Sequence, residues 1–226
     1  MPRLTIATAL AGLAMLGASA WAALDPERGG LAVLLAALAA VAAGFAWLEG
    51  GPTSTRDLAL VATLGGVAAA GRILFAPVPG VQPVTVIVVV SGVALGPRRG
   101  FAVGALAALA SNFFLGQGPW TPWQMLAWGA CGVVGGLAAP LLRGRVQLAV
   151  ACFFLGLGFS AAMDVWEWYS FFPHTWQAFA VQMTRGFPFD LAHAIGNVVL
   201  ALAVGQELRR VIERHERRTR AEIVWA

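Results

Sequence analysis

The sequence predicts an all-α fold, a polytopic membrane helix bundle, and three observations predict it. Of the 226 residues, 59% are hydrophobic and 12% are charged, against roughly 45–50% and about 25% in soluble domains. The mean hydropathy is +0.75. The apolar residues gather into continuous runs rich in Ala, Leu and Gly, without the in-out alternation of barrel strands. In lipid, every backbone polar group needs a partner within the protein, and a helix supplies those partners inside one segment. This composition excludes a disordered chain, a coiled coil and a disulfide scaffold, and it argues against a soluble globular enzyme. At about 20 residues per span, the chain has room for six to eight spans and no separate soluble domain.

Eight apolar runs can be read in order: Leu4 to Leu24, Leu31 to Leu48, Leu58 to Ala76, Val84 to Leu95, Phe101 to Leu115, Gln124 to Leu142, Val146 to about Met163, and Phe187 to Val204. The first has a signal-like alternative, because Arg3, an apolar stretch and the small residues Ala18-Ser19-Ala20 or Ala20-Trp21-Ala22 resemble a cleavable leader. The fourth and fifth runs are short, which packing neighbours and interfacial aromatics tolerate. Connections are brief except Asp164 to Gly186, which reads as a long loop. Residues 209–226 form a basic tail suited to anionic lipid headgroups. Cys131 and Cys152 lie inside apolar runs and read as buried free thiols.

All fifteen strongly basic residues are arginine. With the N-terminus in the cytoplasm, twelve of them fall on the inner side: Arg3, Arg56, Arg98, Arg99, Arg143, Arg145, Arg209, Arg210, Arg214, Arg217, Arg218 and Arg220. Arg28, Arg72 and Arg185 fall outside. The positive-inside rule thus predicts a multi-pass plasma-membrane protein with both termini cytoplasmic.

Polar residues at membrane depth are costly and point to function. In this topology they crowd the outer ends of the runs. Arg72 is near the outer end of the third; Ser111 and Asn112 close the fifth. Gln124 opens the sixth, with Trp128 a turn below. Asp164, Glu167 and Trp168 follow the seventh at helical spacing, and Asp190, His193 and Asn197 share one face of the last. The outer connections add Gln82, Gln117, Trp120 and Trp123, and the third is rich in aromatics: Trp166, Trp168, Tyr169, Phe171, Phe172 and Trp176. The inner halves are Ala, Val, Leu and Gly. That asymmetry argues against a pore or a transmembrane proton relay and for a pocket open to the outside, suited to a flat or bulky amphipathic ligand. Singly, each residue has an ordinary explanation: Arg72 can snorkel, Asn112 can cap a helix, and the tryptophans can form an interfacial belt.

No GxxxxGK[ST], HExxH or GxSxG pattern occurs, so the residues suggest no P-loop, zincin site or nucleophile elbow. Asp164, Glu167, His174, Asp190 and His193 match no standard metal spacing, and neither metal nor cofactor is expected. Ala62, Gly66 and Ala70 form a small-xxx-small row that permits close helix approach.

The segment Gly71-Arg72-Ile73-Leu74-Phe75-Ala76, with Pro79 to Pro83, resembles the first core helix and outer loop of S components, the substrate-binding subunits of energy-coupling factor (ECF) vitamin transporters. Gly96-Pro97-Arg98-Arg99-Gly100-Phe101 and the stretch from Ser111 through Gly116-Gln117-Gly118-Pro119-Trp120-Thr121-Pro122-Trp123-Gln124 to Met125 resemble one branch of that family, assigned to cobalamin or related corrinoids. The resemblance covers residues 58–208. It implies a six-helix S-component-like core there; the two additional N-terminal helices read within residues 1–50 depart from the family pattern. It implies no enzymatic activity, but capture of a small-molecule vitamin from outside and inward delivery with a transmembrane coupling subunit and two ATPase subunits. Ala62, Gly66 and Ala70 would match the family's docking row. Membrane lipid is the other expected partner, and nucleic acid is not one. A corrinoid ranks first as ligand; riboflavin or another flat vitamin is the alternative. Two other classes stay open on the residues alone, a membrane assembly protein and an outer-face membrane enzyme.

Overall fold

The computed structural model describes residues 26–50 and 54–225. The first apolar run, Leu4 to Leu24, and its signal-like reading lie outside the described residues. Among the described residues the structure is helical throughout, with no strand. Eight α-helices follow in order: α1 (Pro26–Glu49), α2 (Thr55–Leu74), α3 (Val84–Leu95), α4 (Pro97–Leu115), α5 (Thr121–Leu137), α6 (Arg145–Phe171), α7 (Trp176–Leu200) and α8 (Gln206–Trp225). A single π-helical turn, Ala201–Gly205, joins the last two.

The helix α3 is the axle of the bundle. Its twelve residues are apolar on every side apart from Thr85 and Ser91, and Val84 through Val93 are all buried. A helix hydrophobic all round belongs inside, and α3 touches every other helix from α2 to α8. At about 18 Å it is shorter than the hydrocarbon layer, which its neighbours make harmless. Pro83 precedes it and Gly96-Pro97 ends it, with Pro97 seated at the start of α4 where its missing N–H is no loss.

The helices α3, α4 and α5 converge on Gly92, Gly100 and Gly132. A methyl at Gly132 would run into the carbonyl of Gly100, and one at Gly92 into the carbonyl of Gly132. Backbone lies against backbone here, so only glycine fits. Around this node Phe101, Val103, Trp128 and Cys131 fill the core. Cys131 and Cys152 are both free and buried, as their surroundings in the sequence suggest.

By length and hydropathy, three described helical segments suffice to cross a membrane: α2, α6 and the continuous rod Trp176–Arg218. The apolar stretches of α1 and α3 are shorter. The second to eighth runs read from the sequence therefore match helices, but the central ones depend on packing rather than on their own length.

The main departure concerns Asp164 to Gly186. It is not a loop: α6 continues to Phe171 and α7 begins at Trp176. Its charged and polar residues lower the hydropathy without breaking the helix, and side chains bridge the two helices there. Gln182 Nε2 donates to Glu167 Oε2 at 2.9 Å, and Arg185 Nη2 meets Glu167 Oε1 at 3.2 Å. Pro173 lies in the short break, and Thr175 caps α7 by accepting from the Ala178 amide at 3.2 Å. Elsewhere the ends shift by a few residues; α5 starts at Thr121 and stops at Leu137.

Opposite the aromatic connections, arginines organise the other end of the bundle. Arg209 Nη1 donates to the Leu142 carbonyl at 3.0 Å. Arg99 joins Asp57 at 3.1 Å and Glu216 at 2.9 Å. Asp57 also completes a capping box with Ser54 at the start of α2. Ile212 is buried, so α8 is packed under the bundle by an apolar contact and by ion pairs.

Candidate functional site

At the aromatic end, α2 carries Arg72 in its last turn with its side chain turned into the bundle, where only 7% of the residue is exposed. Three elements converge on it. The end of α4 brings Ser111 and Asn112, both buried; the start of α5 brings Gln124; the 77–83 connection brings Gln82. Arg72 Nη1 donates to Ser111 Oγ at 2.7 Å and to Asn112 Oδ1 at 2.5 Å. Nε donates to Gln82 Oε1 at 3.3 Å, and Nη2 donates to Gln124 Oε1 at 3.5 Å. The guanidinium lies over the Trp128 ring, 4.9 Å from its centroid.

The acceptors are themselves held. Ser111 Oγ donates to the Ala107 carbonyl at 2.7 Å. Asn112 Nδ2 donates to Gln124 Oε1 and to Thr121 Oγ1, each at 2.9 Å. Thr121 Oγ1 donates to Gln117 Oε1 at 2.9 Å, and Gln117 Nε2 donates to the Leu109 carbonyl at 3.1 Å. Gln117 thus ties the 116–120 connection to α4 and α5 rather than facing Arg72.

Trp128 links this cluster to α7. Its Nε1–H donates to Thr85 Oγ1 at 3.2 Å. Thr85 in turn lies 3.2 Å from His193 Nε2, and His193 Nδ1 lies 2.8 Å from the Gly80 carbonyl. A carbonyl only accepts, so Nδ1 carries the proton, and in the neutral imidazole Nε2 then accepts from Thr85. One directional chain therefore runs Trp128, Thr85, His193, Gly80. It fastens the 77–83 connection, where Gly80 takes φ +74°, a left-handed conformation natural to glycine. Phe159 stacks on Trp128 with centroids 4.1 Å apart.

Of the residues the sequence singles out, Arg72, Gln82, Asn112 and Gln124 come together directly, and His193 joins through Thr85 and Trp128. Asn197 is fully buried one turn below His193, and neither end of its amide has a partner among the described residues. Asp164 and Glu167 form a separate group with Gln182, whose Nε2 lies 3.5 Å from Asp164 Oδ1. Asp190 is half-buried on α7. Trp168 packs edge-on against Phe179 at 5.2 Å, Trp120 against Trp166 at 6.4 Å, and Trp123 is half-buried. Ala62, Gly66 and Ala70 line one exposed face of α2. Thr85 and Gln182 escape the sequence reading. A single threonine among valines was the signal for Thr85, whereas Gln182 was hidden by the apparent loop. Among the described residues no group of three or more His, Cys, Asp or Glu side chains is placed to hold a metal.

A family model described as ECF transporter, substrate-specific component, matches residues 56–205, about two thirds of the chain and all of α3 to α7. No curated protein matches the chain, and no solved structure does.

Proposed function

The chain belongs to the substrate-specific components of ECF transporters, and from that premise we propose that the cluster around Arg72 is its substrate site and opens to the outside of the cell. As an integral membrane protein of this family, it captures a small molecule there and passes it inward with a coupling subunit and ATPases, which supply the energy. The observation that carries this reading is the inward-turned, buried Arg72. A lipid-facing arginine would snorkel to water; this one is enclosed by Ser111, Asn112, Gln124 and Gln82 from three separate elements. The positive-inside distribution of the arginines supports placing this end outside and both termini in the cytoplasm. A reporter fused after Gly118 should then read as external and one at the C-terminus as internal.

The exposed row Ala62, Gly66 and Ala70 is the surface for the coupling subunit. It borders an apolar groove of about 420 Å³ between α2 and α4, lined also by Leu106, Leu109 and Phe113. A side chain at Gly66 would meet nothing within 4 Å. Gly66→Leu should therefore fold and retain substrate, yet lose uptake by blocking close helix approach. Uptake equal to the wild type would remove this face from the coupling interface.

For the substrate we favour a corrinoid, because the 116–125 stretch resembles that branch and the aromatic residues at this end suit a large amphipathic ligand. Riboflavin or another flat vitamin is the second reading. Mass spectrometry of the small molecule kept by detergent-purified protein decides between them. A retained corrinoid supports the first, and retention of another vitamin with no cobalamin binding overturns it.

A further inference from the structure

We propose that the Nε–Nη2 edge of Arg72 anchors an anionic group of the substrate, a carboxylate or a phosphate, with the amides of Gln82 and Gln124 closing around it. The inference rests on the substrate site proposed above and names the chemistry that site selects.

The two edges of the guanidinium are held very differently. Nη1 makes two short bonds, to Ser111 and Asn112 on α4, at 2.7 and 2.5 Å. One flat face lies over Trp128. These contacts fix the position and plane of the group. The other edge, which offers parallel N–H donors, meets only Gln82 at 3.3 Å and Gln124 at 3.5 Å. The second of these is at the limit of a hydrogen bond. Both glutamines are half-buried. The Nε2 amide of each makes no hydrogen bond among the described residues, so two further donors stand beside the weakly held edge.

Charge points the same way. Every acceptor around Arg72 is neutral, and no described carboxylate forms an ion pair with it. Asp164 and Glu167 are turned to Gln182 and Arg185. A buried cation without a counter-ion is unfavourable, and an incoming anion relieves that. The forked geometry of arginine suits two oxygens of one carboxylate or phosphate. If the two glutamines turn, each withdraws an acceptor oxygen and presents an N–H₂ to the same anion. A substrate lacking the anionic group would have to leave the charge unpaired.

The test uses the detergent-purified full chain and compounds that differ in the anionic group. Cobalamin, with its phosphodiester, is paired with cobinamide, which lacks it. Riboflavin 5′-phosphate is paired with riboflavin, and pantothenate with panthenol. The protein is incubated with the mixture and washed, and the retained compounds, with any molecule that copurifies, are identified and counted by mass spectrometry. The expected result is retention of the compound that bears the anionic group over its counterpart without it by about tenfold or more. The phosphate and carboxylate pairs separate the two anion classes. Arg72→Gln should bring that ratio to near one. Gln82→Ala and Gln124→Ala leave the bonds of Arg72 to α4 in place, and each should lower the ratio by a few-fold, roughly. Equal retention by the wild type of a counterpart without the anionic group, or an unchanged ratio in Arg72→Gln and both glutamine variants, overturns the inference and leaves the substrate site standing. Retention of no compound at all overturns the substrate site and the inference together.

Discussion

Arg72 and Arg99 sit at opposite ends of the same bundle, and both are largely withdrawn from water. Arg99 bridges Asp57 on α2 and Glu216 on α8 at 3.1 and 2.9 Å, so its charge is answered twice over. Arg72 has four neutral acceptors and no carboxylate. The first arrangement fastens three pieces of chain and is complete in itself. The second holds a charge in place without neutralising it. Burial alone does not separate a structural arginine such as Arg99 from one that, on the proposed function, is prepared for a ligand; what the guanidinium lacks does.

Substituting each arginine by methionine breaks the comparison most sharply. Arg72→Met should reduce substrate retention by about 100-fold, the loss expected for charge-assisted hydrogen bonds to a buried anion. Its melting temperature without substrate should fall little, since replacing an unpaired buried charge by an apolar side chain is often close to neutral. Arg99→Met should do the reverse. Loss of the cation that joins Asp57 to Glu216 should lower stability by about 2 kcal/mol, seen in a detergent melt, with retention within about twofold of wild type. If both variants lost substrate equally, the contrast would be wrong.

A smaller effect probes the chain that joins Trp128 to the 77–83 connection. Thr85→Val keeps the shape but removes the group that accepts from Trp128 and donates to His193. The expected cost is about 1–2 kcal/mol, with faster hydrogen exchange at residues 78–82 as a local readout. An unaltered melt and exchange pattern would show that the chain does not hold the connection. The smallest change is expected at Arg185, whose pair with Glu167 is 62% and 40% exposed. Arg185→Ala should alter stability by no more than about 0.5 kcal/mol, and a larger loss would mean that exposed pairs matter here as much as the Arg99 bridge.

Much of this was legible in the sequence. The bounds of α3 follow from a run between Pro83 and Gly96 that is apolar apart from Thr85 and Ser91. Arg72, Asn112 and Gln124 stood out because polar groups rarely enter such runs without a purpose. The hairpin of α6 and α7 was not legible. Asp164, Glu167, Gln182 and Arg185 depress local hydropathy, and their helical continuity comes from bridges between the two helices that no single segment reveals. The contrast between Arg72 and Arg99 was also hidden. The partners of Arg99 are 42 residues before it and 117 after it in the chain, and only the packing of α8 beneath the bundle brings them to one side chain.

The most direct measurement is a structure of the substrate-loaded protein that resolves the ligand's oxygens. The account predicts an anionic oxygen within about 3 Å of Arg72 Nε or Nη2, with the bonds to Ser111 and Asn112 intact and Gln82 and Gln124 turned toward the ligand. A bound substrate lying elsewhere, with Arg72 still capped by both glutamines, would contradict it.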